Sequence, residues 1–467
     1  MGLKLFNTLA RSVQDFAPLD PAGKKVGLYC CGPTVYDFAH IGNWRTFVFA
    51  DLVRRTLEFS GYDVKHVMNI TDVEDKIIKR VRENKTTLRD FTGKFETAFL
   101  DDLKTLGCLP PHQTPRATEH IPEIIALIEK LIARGVAYKA NDGSVYFSIE
   151  KYRGCGCTYG QLLKLNLDEM RAGERVASDE YEKESIADFA LWKARVPEDG
   201  DVFWPSPFGE GRPGWHIECS AMSMKALGET FDLHLGGEDL KFPHHEDEIA
   251  QSEGATGKPF VKFWLHGAHL LVEGKKMSKS MGNFFTLRDL LERGFTGREV
   301  RYLLLSAHYR ETFNFTLEGL SGARTALARI DECVSKLRKI AGSANVAPET
   351  KLPEKFLSAL TSDLNISGAW AAVFEWVRET NKRIAENSLG ANDAASALAA
   401  WEKVDSVLGI GVKTTDDPTT EVVRLGVERR LARQAKDFKR ADALREEIRL
   451  KGWIIEDTPE GQTLKKL

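Results

Sequence analysis

A histidine and an asparagine stand where a predicted strand gives way to a predicted helix. The apolar run at residues 26–31 is typical of a buried strand, and the spacing of apolar residues over 43–60 predicts a helix. His40 and Asn43 would flank the start of that helix, where unsatisfied N–H groups and the positive end of the helix dipole suit a phosphate. Gly42 would let a ligand approach the backbone closely. Taken alone, these residues fit an ordinary loop equally well.

A second segment suited to phosphate is the loop at residues 276–280, where Lys276 and Lys279 lie three residues apart. Two cations in one loop can close on a polyphosphate whose charge grows in the transition state. A solvated basic loop is the alternative for any such pair. Because the two segments lie on opposite sides of a long insertion, they fit a nucleotide site that is split between two halves of a sheet.

Cysteine, histidine and glutamate side chains offer a third chemistry, the binding of a metal ion. Zinc prefers four ligands drawn from these residue types. His244 and Glu248 are four residues apart on a helix predicted to begin at Pro243, so both face the same side. Cys30 and Cys31 are neighbours on a strand and point to opposite faces, so only one of them can join such a site. The residues alone leave the full ligand set open.

The elements around these residues predict a multidomain α/β protein. A second strand at 62–70 follows the first helix, and this strand–helix–strand order indicates a parallel sheet with helices on its faces. The pattern changes near residue 110, where a helix at 121–134 and a short strand at 143–148 are predicted, and an α/β pattern resumes near residue 215. Two later helices begin with predicted capping boxes, Thr286 with Asp289 and Thr296 with Glu299.

Composition limits the class of protein. The 467 residues carry 65 Lys and Arg against 68 Asp and Glu, a net charge of −3, so nucleic acid would have to bind at local patches. Hydrophobic residues make up 42% and exclude wholesale disorder. Seven cysteines are too few for a disulfide scaffold and favour a reducing compartment. Since no apolar run is long enough to span a membrane, we expect a soluble, cytoplasmic protein.

Five stretches resemble the signatures of one enzyme family. Residues 40–43 and 276–280 are similar to the HIGH and KMSKS signatures of class I aminoacyl-tRNA synthetases. Residues 29–37, 211–220 and 242–248 narrow the resemblance to the cysteinyl-tRNA synthetase family, and the likeness covers essentially the whole chain. The resemblance implies ATP-dependent activation of L-cysteine to cysteinyl-adenylate and its transfer to the terminal ribose of tRNA(Cys).

The resemblance also implies a domain plan. A Rossmann-like catalytic domain with a parallel sheet would occupy residues 1–110 and 215–285, interrupted by a connective insertion at 111–214 that includes an acidic segment at 178–184. A stem-contact region at 286–318 and an α-helical bundle at 319–408 that binds tRNA would follow. A linker and a small C-terminal α/β domain that reads the anticodon would occupy 409–467.

For the metal site, the resemblance selects one zinc ion held by Cys31, Cys219, His244 and Glu248. Cysteine differs from serine by sulfur for oxygen, and apolar pockets separate such near-isosteres poorly. A zinc ion that binds the substrate thiolate would separate them, because thiolate is a far better ligand than a neutral hydroxyl.

Contacts to the two small substrates also follow from the resemblance. ATP, with Mg²⁺, would be bound by Thr34, His40, Asn43, Gly237, Asp239, Lys276 and Lys279, and catalysis would use His40, Asn43, Lys276 and Lys279. Asp239 would hold the ribose, with Gly237 allowing close approach of the backbone. Thr71 and Trp215 would line the cysteine pocket, and an ordinary core position is the alternative for each.

Two positions depart from the family pattern. Asn43 stands where the second histidine of the HIGH signature is usual, and its amide can donate to phosphate but carries no titratable charge. Leu464 stands where many relatives place tryptophan, which removes one aromatic partner for an anticodon base. Residues 429–440 nevertheless carry six basic side chains against one acid, a local charge of +5 that suits RNA phosphates.

Two other functions fit parts of the pattern. A ligase that joins cysteine to an amino sugar would share the catalytic core but would have no use for the basic C-terminal stretch. A non-catalytic RNA-binding protein would have no use for an intact His40, Lys276 and zinc-ligand set. Both features favour the tRNA synthetase, which we expect to act as a monomer.

Overall fold

The computed structural model of the protein describes residues 2–163, 188–278, 281–342, 346–412, 420–458 and 461–466. Three subjects of the sequence-based predictions lie outside the described residues, namely the acidic segment 178–184, Lys279 and linker residues 414–418. Within the described ranges, no helix combines the length and the apolar character needed to cross a membrane.

Strands and helices alternate in the first part of the chain, and helices dominate the second. The described strands are β1 (Lys4–Asn7), β2 (Ser12–Asp15), β3 (Lys25–Cys30), β4 (Asp63–Met68), β5 (Ala137–Lys139), β6 (Val145–Phe147), β7 (Phe189–Ala194), β8 (Gly211–Pro213), β9 (Phe231–Gly237), β10 (Val261–Gly267), β11 (Leu270–Val272), β12 (Lys275–Lys276), β13 (Phe313–Phe315), β14 (Trp453–Thr458) and β15 (Gly461–Lys466). The described α-helices are α1 (Ile41–Phe59), α2 (Asp75–Asn84), α3 (Leu88–Thr105), α4 (Ile121–Ala133), α5 (Ile149–Gly154), α6 (Trp215–Leu227), α7 (His244–Thr256), α8 (Leu287–Glu292), α9 (Gly297–Leu304), α10 (Leu317–Ala341), α11 (Lys351–Leu360), α12 (Ile366–Ala385), α13 (Ala391–Leu408), α14 (Thr420–Gln434) and α15 (Phe438–Leu450).

A parallel sheet in the order β10-β9-β3-β4 forms the centre of the predicted catalytic domain. The pair β3 and β4 comes from before the insertion and the pair β9 and β10 from after it, so the two halves meet where β3 pairs with β9. Every residue of β9 is buried, as expected for a strand covered on both faces. Because the strand order reverses between β3 and β9, ligands are expected at their carboxyl ends. The predicted Rossmann-like arrangement is confirmed.

The first predicted helix is confirmed with an earlier start. Helix α1 begins at Ile41 because the His40 side chain caps it, so the helix starts two residues before its predicted first residue, Asn43. The predicted capping boxes at Thr286 and Thr296 are also confirmed, and each threonine accepts the N–H of the acidic residue three positions later.

The insertion forms an antiparallel sheet in the order β5-β6-β7-β8, with α4 packed beside it on α6 and α7. Of the four strands in this sheet, the sequence predicted only the one at 143–148, which appears as β6. An ion pair attaches the sheet to the catalytic domain, since Lys193 on β7 donates to Asp75 at 2.9 Å. Arg212 on β8 binds the same carboxylate. This attachment lies at the start of α2, directly after the loop that carries Thr71.

Helices α10 to α13 form the predicted bundle and share one core with the catalytic domain. The fully buried Arg301 on α9 donates to Asp51 of α1 at 2.6 Å and to the Leu408 carbonyl at the end of α13 at 2.5 Å. Ile410 is buried in the same core, so the chain leaves the bundle after this residue.

Helices α14 and α15 pack on the hairpin of β14 and β15 around a separate small core. This confirms the small C-terminal α/β domain. Leu464 packs against that core, and the Arg430 side chain donates to the Glu292 carbonyl at the end of α8 at 2.8 Å.

Candidate metal centre and phosphate site

Four potential metal ligands converge from separate elements. Cys31 directly follows β3, Cys219 lies in the second turn of α6, and His244 and Glu248 share one face at the start of α7. All four side chains are buried, and their ligand atoms lie within 4.8 Å of one another. The structure therefore brings together the four residues that the resemblance selected.

The spacing of these atoms suits a tetrahedral ion. Cys31 Sγ lies 3.9 Å from Cys219 Sγ, 3.6 Å from His244 Nε2 and 3.6 Å from Glu248 Oε1. His244 Nε2 lies 3.1 Å from Glu248 Oε1. Zinc bonds of about 2.0–2.3 Å in tetrahedral geometry place donor atoms about 3.3–3.8 Å apart. Two thiols, one imidazole and one carboxylate at these distances fit zinc.

A second donor set overlaps the first. His245 Nε2 lies 3.4 Å from Cys31 Sγ, and His234 Nε2 lies 3.0 Å from Glu248 Oε2. These four groups also fall within 4.8 Å of one another. The sequence-based predictions missed His234, whose spacing from the other candidates gives no signal. Its ring stacks on the buried Trp264 at 4.4 Å, so this side of the cluster is closed to solvent.

The other side of the cluster is bordered by Trp215, which is 36% exposed. Its ring lies 4.5 Å from the ring of His244. Trp215 is thus a surface residue beside a candidate ligand and not a core residue.

Charges inside the cluster compensate one another. Burial raises the pKa of the Cys31 thiol well above its usual range. A hydrogen bond from this thiol lowers the pKa of Cys219 to about 6. Burial disfavours the charged form of Glu248, but His234 and His244 outweigh this effect and lower the pKa of Glu248 to about 2. Burial also disfavours the charged form of His244, but Glu248 and Cys219 outweigh it and raise the pKa of His244 to about 10. A divalent cation would replace the protons that this cluster holds.

The neighbours of the four ligand candidates are committed to other contacts. Cys30 points to the opposite face of the sheet and lies in the main core, as strand alternation predicts. The Glu246 carboxylate turns away and accepts the N–H groups of Gly160, Gln161 and Leu162 at 2.6, 2.9 and 2.9 Å. His216 Nδ1 lies 2.9 Å from His244 Nδ1, an arrangement that fixes the ring of this candidate ligand. Sequence reasoning missed this role of His216.

His40 and Asn43 form a reciprocal cap at the start of α1. The Asn43 N–H donates to His40 Nδ1 at 3.2 Å, and the His40 N–H donates to Asn43 Oδ1 at 3.0 Å. Because Nδ1 accepts a hydrogen bond, a neutral His40 ring carries its proton on Nε2. Asn43 is exposed and retains its amide NH₂ for a ligand. The cap thus holds both side chains at the start of α1, where the sequence predicts phosphate donors.

The loop after β12 lies over this helix start. Lys276 is exposed at the end of β12, and the Met277 side chain contacts Gly42 so closely that a Cβ there would lie 3.3 Å from it. Asn283 holds the loop in place, because its Oδ1 accepts the Ser278 N–H at 2.9 Å and its Nδ2 donates to the Lys276 carbonyl at 3.2 Å. Sequence reasoning missed Asn283, because its role depends on hydrogen bonds to Lys276 and Ser278 that form only in the folded loop.

The other predicted substrate contacts lie at the same edge of the sheet. Thr34 and Thr71 form a bridge between the segments that follow β3 and β4. Gly237 ends β9 and lies so close to the exposed Asp239 carboxylate that a Cβ there would displace this side chain. The structure therefore places Thr34, Thr71, Gly237 and Asp239 around the carboxyl ends of neighbouring strands.

The basic stretch at 429–440 is less cationic than its composition predicts. Arg429 and Arg433 both bind Asp457, the former at 2.9 Å, and Arg440 lies 3.4 Å from Glu428. The exposed Lys436 and Lys439 have no ion-pair partner among the described residues, and they flank Phe438, which is 61% exposed. The charge available to RNA therefore concentrates at the turn between α14 and α15.

Comparison with protein families agrees with this architecture. Residues 18–325 match the family described as tRNA synthetases class I (C) catalytic domain. Residues 355–413 match the DALR domain, which falls on the helical bundle. The first match covers more than half of the chain.

Relatives match along the whole length. The chain is 48% identical over 482 residues to the cysteine–tRNA ligase of Chlamydia muridarum, covering 100% of each chain. It is 46% identical over 474 residues to the cysteine–tRNA ligase of Protochlamydia amoebophila, covering 99% of this chain and 98% of the relative.

Among solved structures, the Mycobacterium tuberculosis methionyl-tRNA synthetase in complex with methionyl-adenylate superposes with a TM-score of 0.59 at 14% identity. The match covers 82% of this chain and 90% of that structure, and it concerns the fold alone. With the sheet, the family match and the full-length relatives in agreement, the chain belongs to the cysteine–tRNA ligase family of class I tRNA synthetases.

Proposed function

We propose that this chain activates L-cysteine with ATP and transfers it to tRNA(Cys). The observation that carries the proposal is the buried cluster of Cys31, Cys219, His244 and Glu248, which borders the exposed side chain of Trp215. It lies at the same edge of the sheet as the His40 cap. The side chain of the substrate amino acid can therefore be held on one side of its reacting carboxylate, and the phosphates of ATP on the other.

Cys31, Cys219, His244 and Glu248 would hold one zinc ion, since this set supplies two thiolates and lies beside the exposed Trp215. When bound, zinc supplies a Lewis acid that favours a thiolate over a hydroxyl. The set with His234 and His245 supplies only one thiolate and is closed by Trp264. The protein's own contribution is to orient the ligands, for example through the contact of His216 with His244.

In the first step the cysteine carboxylate would attack the α-phosphate of ATP and release pyrophosphate. His40 Nε2 and the Asn43 amide would donate to phosphate oxygens at the start of α1, while Lys276 and Lys279 would balance the charge that develops on the leaving group. Asp239 would bind the ribose, with Gly237 and Thr34 at the same edge, and Mg²⁺ would accompany the nucleotide. Catalysis of this kind depends on positioning and electrostatics more than on a protein nucleophile.

In the second step a ribose hydroxyl at the 3′ end of the tRNA would attack the adenylate. The bundle at 319–408 and the region at 286–318 would contact the body of the tRNA, and the C-terminal domain would read the anticodon. Support comes from Lys436 and Lys439, which can bind phosphates, and from Phe438 between them, which can stack on an unpaired base. The chain would work as a monomer in the cytoplasm, and its seven free cysteines suit a reducing compartment.

Two assays in sequence test the proposal. Cysteine-dependent exchange of pyrophosphate into ATP should be detected, serine should support it poorly, and purified tRNA should then be charged with cysteine. Exchange without charging of tRNA, combined with ligation to an amino sugar, would assign the chain to the small-molecule ligases. Absence of cysteine-dependent exchange from zinc-loaded protein would contradict the proposal.

A further inference from the structure

Asn69 connects two parts of the proposed cysteine pocket. Its Oδ1 accepts the N–H of Gly32 at 2.9 Å, and its Nδ2 donates to Thr71 Oγ1 at 3.1 Å. The side chain is 1% exposed, and Gly32 lies so close that a Cβ there would collide with the Asn69 carbonyl. Asn69 therefore contacts both the residue after Cys31 and the hydroxyl of Thr71.

The orientation of the Asn69 amide is fixed by chemistry. A backbone N–H can only donate, so the atom that faces Gly32 is the oxygen, and the NH₂ group faces Thr71. The Thr71 hydroxyl thus accepts a hydrogen bond from Asn69, and its own proton points elsewhere. Within the described part of the chain, Thr71 Oγ1 donates no hydrogen bond to a protein acceptor.

The backbone of Thr71 is also held in place. Its N–H donates to the Pro33 carbonyl at 3.0 Å, and its carbonyl accepts the Val35 N–H at 3.1 Å. Thr71 is 2% exposed, so the rotation of its hydroxyl is the remaining freedom at this position. Asn69 restricts that rotation, because the hydroxyl proton cannot point toward the NH₂ group that donates to the same oxygen.

We propose that Asn69 is a positioning residue that turns the Thr71 hydroxyl proton toward the bound amino acid. Thr71 then donates to an acceptor atom of the substrate, such as a carboxylate oxygen or the sulfur. The inference rests on the proposed function, because it assumes that cysteine occupies this pocket. Asn69 would fix in advance a hydrogen bond that otherwise costs an ordering step at each binding event.

A purely structural role is the alternative, since Asn69 also clamps the backbone beside Cys31. A double-mutant cycle separates the two roles. It uses Asn69→Ala, Thr71→Val (which removes the hydroxyl and keeps the shape) and the double variant, each assayed by cysteine-dependent pyrophosphate exchange with its zinc content measured. Asn365→Ala serves as the matched control, because Asn365 caps α12 through a 2.9 Å bond to the Gly368 N–H in the bundle.

Each single variant should raise KM for cysteine about tenfold, the worth of one hydrogen bond, with zinc retained and kcat changed less. Since both substitutions remove the same hydrogen bond, that of Thr71 to the substrate, KM for cysteine in the double variant should also rise about tenfold. Asn365→Ala should lower the thermal midpoint and leave KM unchanged. If Asn69→Ala does not fold, Asn69→Ser takes its place in the cycle.

Independent effects, with KM in the double variant raised about a hundredfold, would overturn the inference and leave the proposed function standing. An unchanged KM in Asn69→Ala, or loss of zinc as its main defect, would do the same. A wild-type protein that shows no cysteine-dependent exchange would overturn the proposed function, and the inference with it.

Discussion

The metal cluster and the phosphate side of the site lie at one edge of the sheet but are built differently. The four metal-ligand candidates are buried, come from three elements and touch one another. On the phosphate side Asn43 and Lys276 are exposed, and a cap and the side chain of Asn283 hold the segments that carry them. The buried half is thus fixed by packing and mutual charge, while the exposed half depends on a few hydrogen bonds and can adjust to a ligand.

The largest effect should follow from a change in the buried half. His244→Ala removes a ligand and leaves a charged carboxylate in a buried cluster, so zinc should be lost and the cysteine-dependent exchange rate should fall by about 10³ or more. His245→Ala is the matched control, because the neighbouring ring belongs to the alternative donor set. Greater loss of zinc from His245→Ala than from His244→Ala would move the ligand assignment to His234 and His245.

A change in the exposed half should affect catalysis without affecting the metal. Lys276→Ala should lower the exchange rate by about 10²–10³ while zinc content and KM for cysteine stay near wild type, because the lysine acts where charge develops. Lys275→Ala, the adjacent exposed lysine, is the control and should keep most of the activity. Equal losses in the two variants would show that the loop supplies only a diffuse positive charge. The same substitution at Lys279 should match Lys276→Ala.

The C-terminal domain should matter to tRNA alone. Deletion of residues 413–467 keeps Ile410 in the core and removes Lys436, Phe438 and Lys439. The truncated chain should retain zinc and exchange activity, and its KM for tRNA should rise roughly tenfold or more with a weaker dependence on salt. Charging kinetics at two salt concentrations measure this. Full charging efficiency after truncation would remove the domain from tRNA recognition.

A smaller effect, on the free energy of unfolding, is expected at His66. Among the residues that the structure describes, this buried histidine lacks the hydrogen-bond partners that histidines have in the metal cluster. Both ring nitrogens of His66 are buried without a hydrogen-bond partner in the described structure. Burial, with help from the charge of Arg54, lowers its pKa to about 3 in the folded protein, against 6.5 in a peptide. Between these values the unfolded chain binds the proton more readily, so stability that is present above pH 6.5 is lost as the pH falls toward 3.

Urea unfolding of wild type and His66→Leu at pH 7 and pH 5 measures this effect. The free energy of unfolding of wild type should fall by roughly 1 kcal/mol per pH unit more than that of the variant. Equal falls in both proteins would contradict a buried, neutral His66.

The same contrast explains what could be predicted from the sequence. Local patterns gave the strand–helix–strand unit and the capping boxes, because hydrophobic spacing and caps act within a few residues. Strand alternation placed Cys30 and Cys31 on opposite faces. These features need no knowledge of distant parts of the chain.

Features that depend on distant partners were not predictable. Residues of the surrounding layer, such as His216 and His234, acquire roles only when α6, β9 and α7 meet. The charge of the C-terminal stretch was overestimated because Arg429 and Arg433 bind Asp457, which lies 28 and 24 positions away in sequence. The choice of four ligands among several candidates came from the family resemblance and not from spacing.

The most direct test of the central claim is the zinc content of purified Cys219→Ser beside wild type and Cys333→Ser. Cys219 belongs to only one of the two donor sets, the one with His244, whereas Cys333 is a buried thiol in the bundle. Wild type and Cys333→Ser should each carry about one equivalent of zinc, and Cys219→Ser should lose most of it together with its preference for cysteine over serine. A Cys219→Ser protein with a full equivalent of zinc would contradict the assignment of the metal to Cys31, Cys219, His244 and Glu248.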